Sequence, residues 1–415
     1  MKKLPLGWSW SRFREIVEDS QYGLSTQASP QGITPILRMN NIDDGKLILA
    51  NLVHVNLSGD ELKSYRLKKG DLLFNRTNSA ALVGKTALFT ESRDYVCASY
   101  LVRFRLRLDR VDPQFVCYVF TTSQSQRIFH QLATKAVAQV NINPTALQQK
   151  FCLPIPPLQE QKEIANTLMF WDDSIQKQEK LLSVKKEGKQ GLMQQLLTGK
   201  SRFKKFKGER WHTYRLGELF TERVEIARGD LPLVAITGQN GVVPRDSLTK
   251  RDSSSEDKSK YLRITPGDIG YNTMRMWQGV AGLSQIEGIV SPAYTVCIPS
   301  NKIDGQFAAY LFKHLPMIHA FRRNSQGLVD DTLSLKFPNF ARIHVTIPDV
   351  PEQKRIAAVL STCDREIELL QKQLAALKAQ KRGLMQKLLT GEIRVKTKIN
   401  AQGQPGKRST ITKLC

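Results

Sequence analysis

The chain has 415 residues, 41% hydrophobic and 8% aromatic, long enough for two or three domains that each bury a core. Lys and Arg outnumber Asp and Glu by 62 to 38, a formal net charge of +24, so the expected partner is a large polyanion, because each phosphate neutralised by Lys or Arg releases a counterion. No apolar run reaches the roughly 18 residues of a spanning helix, and the start MKKLPLGWSW has charge without the apolar centre of a leader peptide, which favours nucleic acid over a membrane.

Residues 1–157 form the first block. It opens on WSWSRFREI and continues through short apolar and β-branched runs separated by turn residues, such as LKKGDLLFN, with a helical stretch over 113–132. Gly-Asp turns between such runs predict strands and hairpins, hence an α+β domain. Residues 158–200 follow as a predicted long helix: Ile164, Leu168, Trp171, Ile175, Leu182, Leu192 and Leu196 recur at steps of four and three, with Gln178, Lys185 and Lys189 on the same seam. Proline precedes its start and Gly199 stands where a left-handed residue would end it. GKSRFKKFKGERW then reads as a basic linker.

Residues 201–349 repeat the plan. WHTYRLGEL shares Trp211, Arg215 and Glu218 with Trp8, Arg12 and Glu15, ITPGDIGYN matches LKKGDLLFN, and 306–323 is helical in pattern. Residues 350–391 predict a second long helix, with Ile356, Leu360, Cys363, Ile367, Leu370, Leu374, Leu377, Leu384 and Leu388 on its seam, interrupted at Lys381 and closed by Gly391. The polar, basic residues 392–415 are expected to be disordered. The openings LQEQKEIANTL and VPEQKRIAAVL, and the endings GLMQQLLTG and GLMQKLLTG, share one offset of 192 positions (352 − 160 and 391 − 199). A period this long is an internal duplication rather than a solenoid. Each helix is expected to have about 35 residues and to be about 50 Å long. Two matched seams in one chain predict an antiparallel intramolecular coiled coil; the simpler alternative is that each seam packs on its own domain.

Catalytic motifs are missing. Gly84-Lys85-Thr86 resembles the end of a phosphate loop, but Ser79 stands where that loop needs glycine, and a strand-like run continues through the segment. NPTA at Asn143 does not match the tetrapeptide of base-modifying methyltransferases. Cys97, Cys117, Cys152, Cys297, Cys363 and Cys415 are scattered, as are the six histidines, so no metal site or disulfide framework is expected. What remains is binding chemistry. Reading base edges calls for Arg or Lys toward guanine, Asn or Gln toward adenine, and apolar contacts toward thymine. FNRTNSA and YNTMRMWQG concentrate these types beside predicted turns. The candidates for DNA contact are Arg38, Asn40, Asn75, Arg76, Asn78, Lys85, Asn272, Arg275, Trp277 and Gln278; turn structure competes as a role for Asn75 and Asn272, core packing for Trp277 and phosphate contact for the arginines.

On PIPPLQEQKEIA and IPDVPEQKRIAAVL, the two Leu-Met-Gln-x-Leu-Leu-Thr-Gly endings, and LKKGDLLFNRTNSA, PGDIGYNTMRMWQG and IVSPAYTV, the chain resembles the specificity subunit of type I restriction-modification systems over residues 4–391. The resemblance implies two target-recognition domains, at 1–157 and 201–349, each reading one half of a bipartite asymmetric site in double-stranded DNA. It implies that the helices set the spacer and dock two copies of a modification (methyltransferase) subunit. Methyl transfer from S-adenosylmethionine and ATP/Mg-driven translocation and cleavage would then lie in partner modification and restriction subunits of a prokaryotic cytoplasm, leaving this chain non-catalytic and without cofactor. The competing readings are a stand-alone bipartite DNA-binding regulator, a coiled-coil scaffold, which leaves the charge unexplained, and an enzyme in its own right.

Overall fold

The computed structural model describes residues 4–27, 29, 31–135, 139–226, 231–238, 240–248 and 257–395. The chain divides into two compact units: residues up to Lys177 together with those from Leu374 onward, and Gln178–Gln373. Each unit holds one α+β domain and one stretch of each long helix, so the boundaries fall within the helices.

In the first unit four antiparallel strands lie in the order Val17–Tyr22, Leu101–Leu106, Leu72–Asn75, Thr86–Leu88. In the second the order is Phe220–Glu222, Tyr294–Pro299, Ile269–Asn272, Ala281–Leu283, also antiparallel. The matched Gly-Asp phrases lead into the third strand of each sheet. Gly70 and Gly267 have φ of 95° and 96°, open to glycine because it lacks a Cβ. The aspartates that follow are buried. Asp71 accepts the Lys68 N–H and Asp268 the Thr265 N–H, each at 2.7 Å. Each also receives two nitrogens of one arginine: Arg105 at 3.0 and 3.2 Å, Arg223 at 2.9 and 3.1 Å. The arginine comes from the neighbouring strand in one domain and from beyond Phe220–Glu222 in the other, so the ion pair is kept while its source moves.

The predicted helical stretches are each broken in two. Pro113–Thr121 and Ser123–Leu132 meet at Thr122, whose hydroxyl caps the second helix by accepting the Ser125 N–H at 3.2 Å. Gly305–Leu311 and Leu315–Asn324 are separated by residues 312–314, with no side-chain cap from His314 and Pro316 in the first turn of the later helix. These helices cover their sheets with interlocked rings. Phe13, Phe74, Phe104, Phe120, Phe129 and Phe151 form the first core, and Phe220, Phe312, Phe321, Phe340 and Tyr271 the second.

The long helices are Leu158–Leu196, 39 residues, and Val350–Leu389, 40 residues, both longer than expected. They end as the sequence predicts, at Gly199 and Gly391 with φ of 69° and 73°. Within the second unit Gln178 donates to Gln373 at 3.2 Å, Lys185 pairs with Glu366 at 2.6 Å and Lys189 with Asp364 at 2.5 Å. One number rises as the other falls, so the helices run antiparallel. Within the first unit Lys381 pairs with Asp172 at 2.8 Å, and 172 and 381 lie 192 positions from 364 and 189. The polar residues on the seams are therefore cross-helix partners. Ile175 and Leu182 are buried, and Trp171, Ile367, Leu374 and Leu384 partly so. Ile164 and Leu168 join the first domain's core beside Leu388 and Leu389; Ile356 and Leu360 join the second beside Leu196 and Leu197. The seam ends thus pack on the domains as well as on each other.

The repeated helix openings face inward. Glu160, Gln161, Glu352 and Gln353 are all at most 2% exposed. Gln161 Oε1 accepts the Asp112 N–H at 2.8 Å and its amide donates to the carbonyls of Arg110 and Pro156; Gln353 does the same with Asp304, Lys302 and Pro348. Glu160 accepts from Trp8 Nε1 at 3.2 Å and from Arg394 at 2.9 and 2.6 Å. Glu352 accepts from Trp211 Nε1 at 3.2 Å and from Arg202 at 3.0 and 2.6 Å. These two residues of each opening are thus spent on seating the domain. The remaining matched residues are local too: Glu15 and Glu218 accept the N–H of Arg12 and Arg215, closing the turns Phe13–Ile16 and Leu216–Leu219. The start of the expected disordered tail is also corrected, since Ile393 and Val395 pack on the first core and Arg394 holds Glu160; residues 396–415 lie outside the described residues.

Asp172 carries a pH-dependent part of this frame. Burial pushes its carboxyl up, but hydrogen bonds from Lys381 and Tyr118 outweigh that and hold it below the ordinary 3.8. A folded value below the unfolded one stabilises fully above about pH 4 and is lost as pH falls through the folded value. Asp172→Asn is therefore expected to lower stability at neutral pH and to flatten its fall below about pH 4, read as urea midpoints across pH 3 to 7. An unchanged acid slope would show that Asp172 contributes none of it.

Candidate nucleic-acid interface

In the first unit Arg76 follows the strand Leu72–Asn75. Its backbone is fixed by bonds to Tyr100 O at 3.0 Å and from Ile142 N at 2.8 Å. Its guanidinium lies 5.0 Å from the centroid of the half-exposed Tyr22 ring, a cation–π contact that pre-orients the planar donor group. Tyr100 is also exposed. Arg76 and Tyr22 thus form one arginine–aromatic surface, with the exposed Tyr100 joined to Arg76 through the backbone alone; Tyr22, at the end of its strand, is far from Arg76 in sequence.

The other first-unit candidates separate from this surface. Asn75 is fully buried, with neither amide atom bonded among the described residues, so its strand position removes it from the contact candidates. Asn78 is nearly buried and accepts the Ser79 N–H at 2.8 Å, a turn role. Lys85 pairs with Asp43 at 2.5 Å and sits just before the strand Thr86–Leu88, so the Gly-Lys-Thr string starts a strand and not a helix. Arg38 donates to Asn51 O at 3.4 Å, while Asn40 is exposed. Neighbouring Asn41 is the structural residue of that turn, bonded to Arg38 N and Ile48 O.

In the second unit YNTMRMWQG makes a tight projection. Asn272 accepts the Met274 N–H at 2.9 Å, the turn role considered for it. Met276–Gln278 is a single 3₁₀ turn that Gly279 ends at φ 75°, with Met276 buried beneath. Trp277 donates to Met274 O at 3.1 Å, and Arg322, from the end of Leu315–Asn324, lies 5.2 Å from its ring centroid. Gln278 is exposed, and among the described residues Arg275 pairs only with the exposed Asp331, at 3.4 Å. Arg275, Trp277, Gln278 and Arg322 therefore share one surface. Arg322 was legible only as a basic residue in a helix's last turn.

Each unit thus presents an arginine over an exposed or half-exposed aromatic ring, built on different elements. Arg322 also pairs with Asp330 at 2.6 Å, and Arg76 donates to Ser99 O at 3.5 Å with its Nε buried, so it is the remaining amino groups of each guanidinium that can donate to guanine or to phosphate. Among the described residues there is no group of three or more His, Cys, Asp or Glu placed to hold a metal, and no helix is long and apolar enough to cross a membrane. The described cysteines are free, and burial pushes the Cys97 and Cys117 thiols up to about 12.

A family model for the type I restriction modification DNA specificity domain matches residues 12–185 and again residues 208–379. The chain belongs to this type I restriction-modification specificity family and carries its domain twice. It is 28% identical over 424 residues to the putative type I restriction enzyme MjaX specificity subunit of Methanocaldococcus jannaschii, covering 95% of this chain and 96% of the relative. To the EcoKI specificity subunit of Escherichia coli it is 27% identical over 173 residues, 40% and 37% of the two chains. The crystal structure of the S subunit from M. genitalium shares the fold, with a TM-score of 0.57 at 15% identity over 94% of this chain and 98% of that one.

Proposed function

We propose that each unit reads one half of a bipartite, asymmetric sequence in double-stranded DNA. The long helices fix the unread spacer and dock two copies of a modification (methyltransferase) subunit, with restriction subunits joining the complex. S-adenosylmethionine and ATP/Mg chemistry belong to those partners; this chain binds and positions. The observation that carries the reading is a frame repeated residue for residue, with Trp–Glu–Arg clasps, Gln sockets and Asp–Lys pairs, bearing partly exposed arginine–aromatic surfaces that are not repeated. A frame used twice suits one partner bound twice; surfaces that differ suit half-sites that differ.

Substitution of Arg275 or Gln278 by alanine is expected to relax specificity in one half-site by about 1–3 kcal/mol and leave the other untouched. Competition binding by the assembled complex against single-base variants of each half-site checks it. Equal weakening on all sequences would make these phosphate contacts instead.

A further inference from the structure

The second unit contains a half-open cleft of about 1090 Å³ between the later turns of Leu158–Leu196 and the helices Gly305–Leu311 and Leu315–Asn324. Lys186, Lys189, Lys200 and Lys313 line it, with Asp364 as the one carboxylate. That carboxylate is already committed, to Lys189 at 2.5 Å and to the Tyr310 hydroxyl at 2.6 Å. Lys186, Lys200 and Lys313 pair with no carboxylate among the described residues. We propose that this cleft binds a chain of phosphates, the chemistry shared by a free nucleoside polyphosphate and a nucleic-acid backbone.

Comparison with the first unit shows that the two copies place their lysines differently. Asp172, the counterpart of Asp364, is bonded by Lys381 and Tyr118, as Asp364 is by Lys189 and Tyr310, but it also takes Lys46 at 3.2 Å from the hairpin of Ile42–Asp43 and Lys46–Leu47. The positions 192 residues before Lys313 and after Lys200 are Thr121 and Glu392. Thr121 lies against the Gly45 turn of that hairpin, and Glu392 stands by Lys387. Where the first unit has Thr121, Glu392 and a lysine paired to its aspartate, the second has a cleft with ammonium groups at both matching positions, Lys313 and Lys200.

Like charges gathered in a concave site repel, and low-dielectric walls concentrate the field. Burial and then the neighbouring Lys189 lower the Lys313 pKa, the direction such crowding produces. Bound phosphates would reverse it. The start of Leu315–Asn324 also lines the cleft, with His314 as its N-cap making no side-chain cap bond, so the positive end of a helix adds to the same field.

The test is calorimetric titration of the full chain with inorganic tripolyphosphate, and separately with ATP, at low ionic strength. Lys313→Met and Lys200→Glu, which restores the first unit's residue, are expected to weaken tripolyphosphate binding at least about tenfold. Lys63→Met, on an exposed helix of the first unit, removes the same charge and should change little. Lys200 is exposed, so that variant reads the site even if Lys313→Met does not fold. No saturable binding, or equal weakening in all three variants, would overturn the proposal. If the two cleft variants also lower the salt dependence of binding to non-target duplex, the phosphates are those of nucleic acid; if duplex binding is unchanged, they belong to a free polyphosphate. Half-site specificity is read separately, so its failure would leave this result standing.

Discussion

Glu352→Ala is expected to destabilise the second unit by about 3 kcal/mol, because it leaves a largely buried guanidinium without its carboxylate, with only the Glu209 carbonyl still accepting from it among the described residues, and an indole N–H without its acceptor. Arg202 is 16% exposed and Glu352 1%; Trp211 Nε1 shares the same carboxylate. In the first unit Arg394 is 46% exposed against Glu160 at 2%, so its guanidinium can return to water and Glu160→Ala should cost less. Urea unfolding of the full chain, followed by fluorescence in variants in which Trp8 or Trp211 is the one tryptophan kept of the five, separates the two. Replacing Arg202 and Glu352 together by apolar residues of similar volume should recover much of the loss, since the penalty comes from the orphaned charge. A loss below about 1 kcal/mol for Glu352→Ala would mean that the clasp holds nothing the rest of the core does not.

Inserting one heptad into each long helix, between Lys177 and Gln178 and between Gln373 and Leu374, is expected to lengthen the recognised spacer by about three base pairs with both half-sites unchanged. Seven residues add about 10 Å of helix and nearly two whole turns, so the seam keeps its face. The insertions fall between the two compact units and interrupt neither. Insertion in one helix alone would put the pairs Lys185–Glu366 and Lys189–Asp364 out of register with Asp172–Lys381, and should abolish activity. The recognised spacer of the double insertion, mapped from methylated sites, checks the ruler; a spacer that stays fixed contradicts it.

The frame was legible because duplication prints it twice. Heptad steps, flanking prolines and Gly199 and Gly391 located both helices, and the Gly-Asp phrases located the third strand of each sheet. The polar seam residues could be seen but not their partners, since an antiparallel register joins positions far apart, such as Lys381 and Asp172. The buried Glu160 and Gln161 looked like surface because charged and amide residues usually are; only the fold supplies Trp8, Arg394 and the backbone groups that bury them. Arg394 and Arg202 obey the same 192-residue offset, so extending the repeat past the glycines would have found them. The candidate contact surfaces were half legible. Arg275 and Gln278 emerge exposed, whereas Asn75 is lost to a strand interior, and Tyr22 joins Arg76 only through strand pairing. Residues chosen by type beside a turn cannot reveal which face of that turn they occupy.

The most direct measurement is a genome-wide map of methylated adenine from cells co-expressing this chain with its modification subunit, set against cells lacking this chain. The account predicts one motif with two unlike half-sites and a fixed gap, erased when this chain is absent. A continuous or symmetric motif, or the same methylation without this chain, would contradict it.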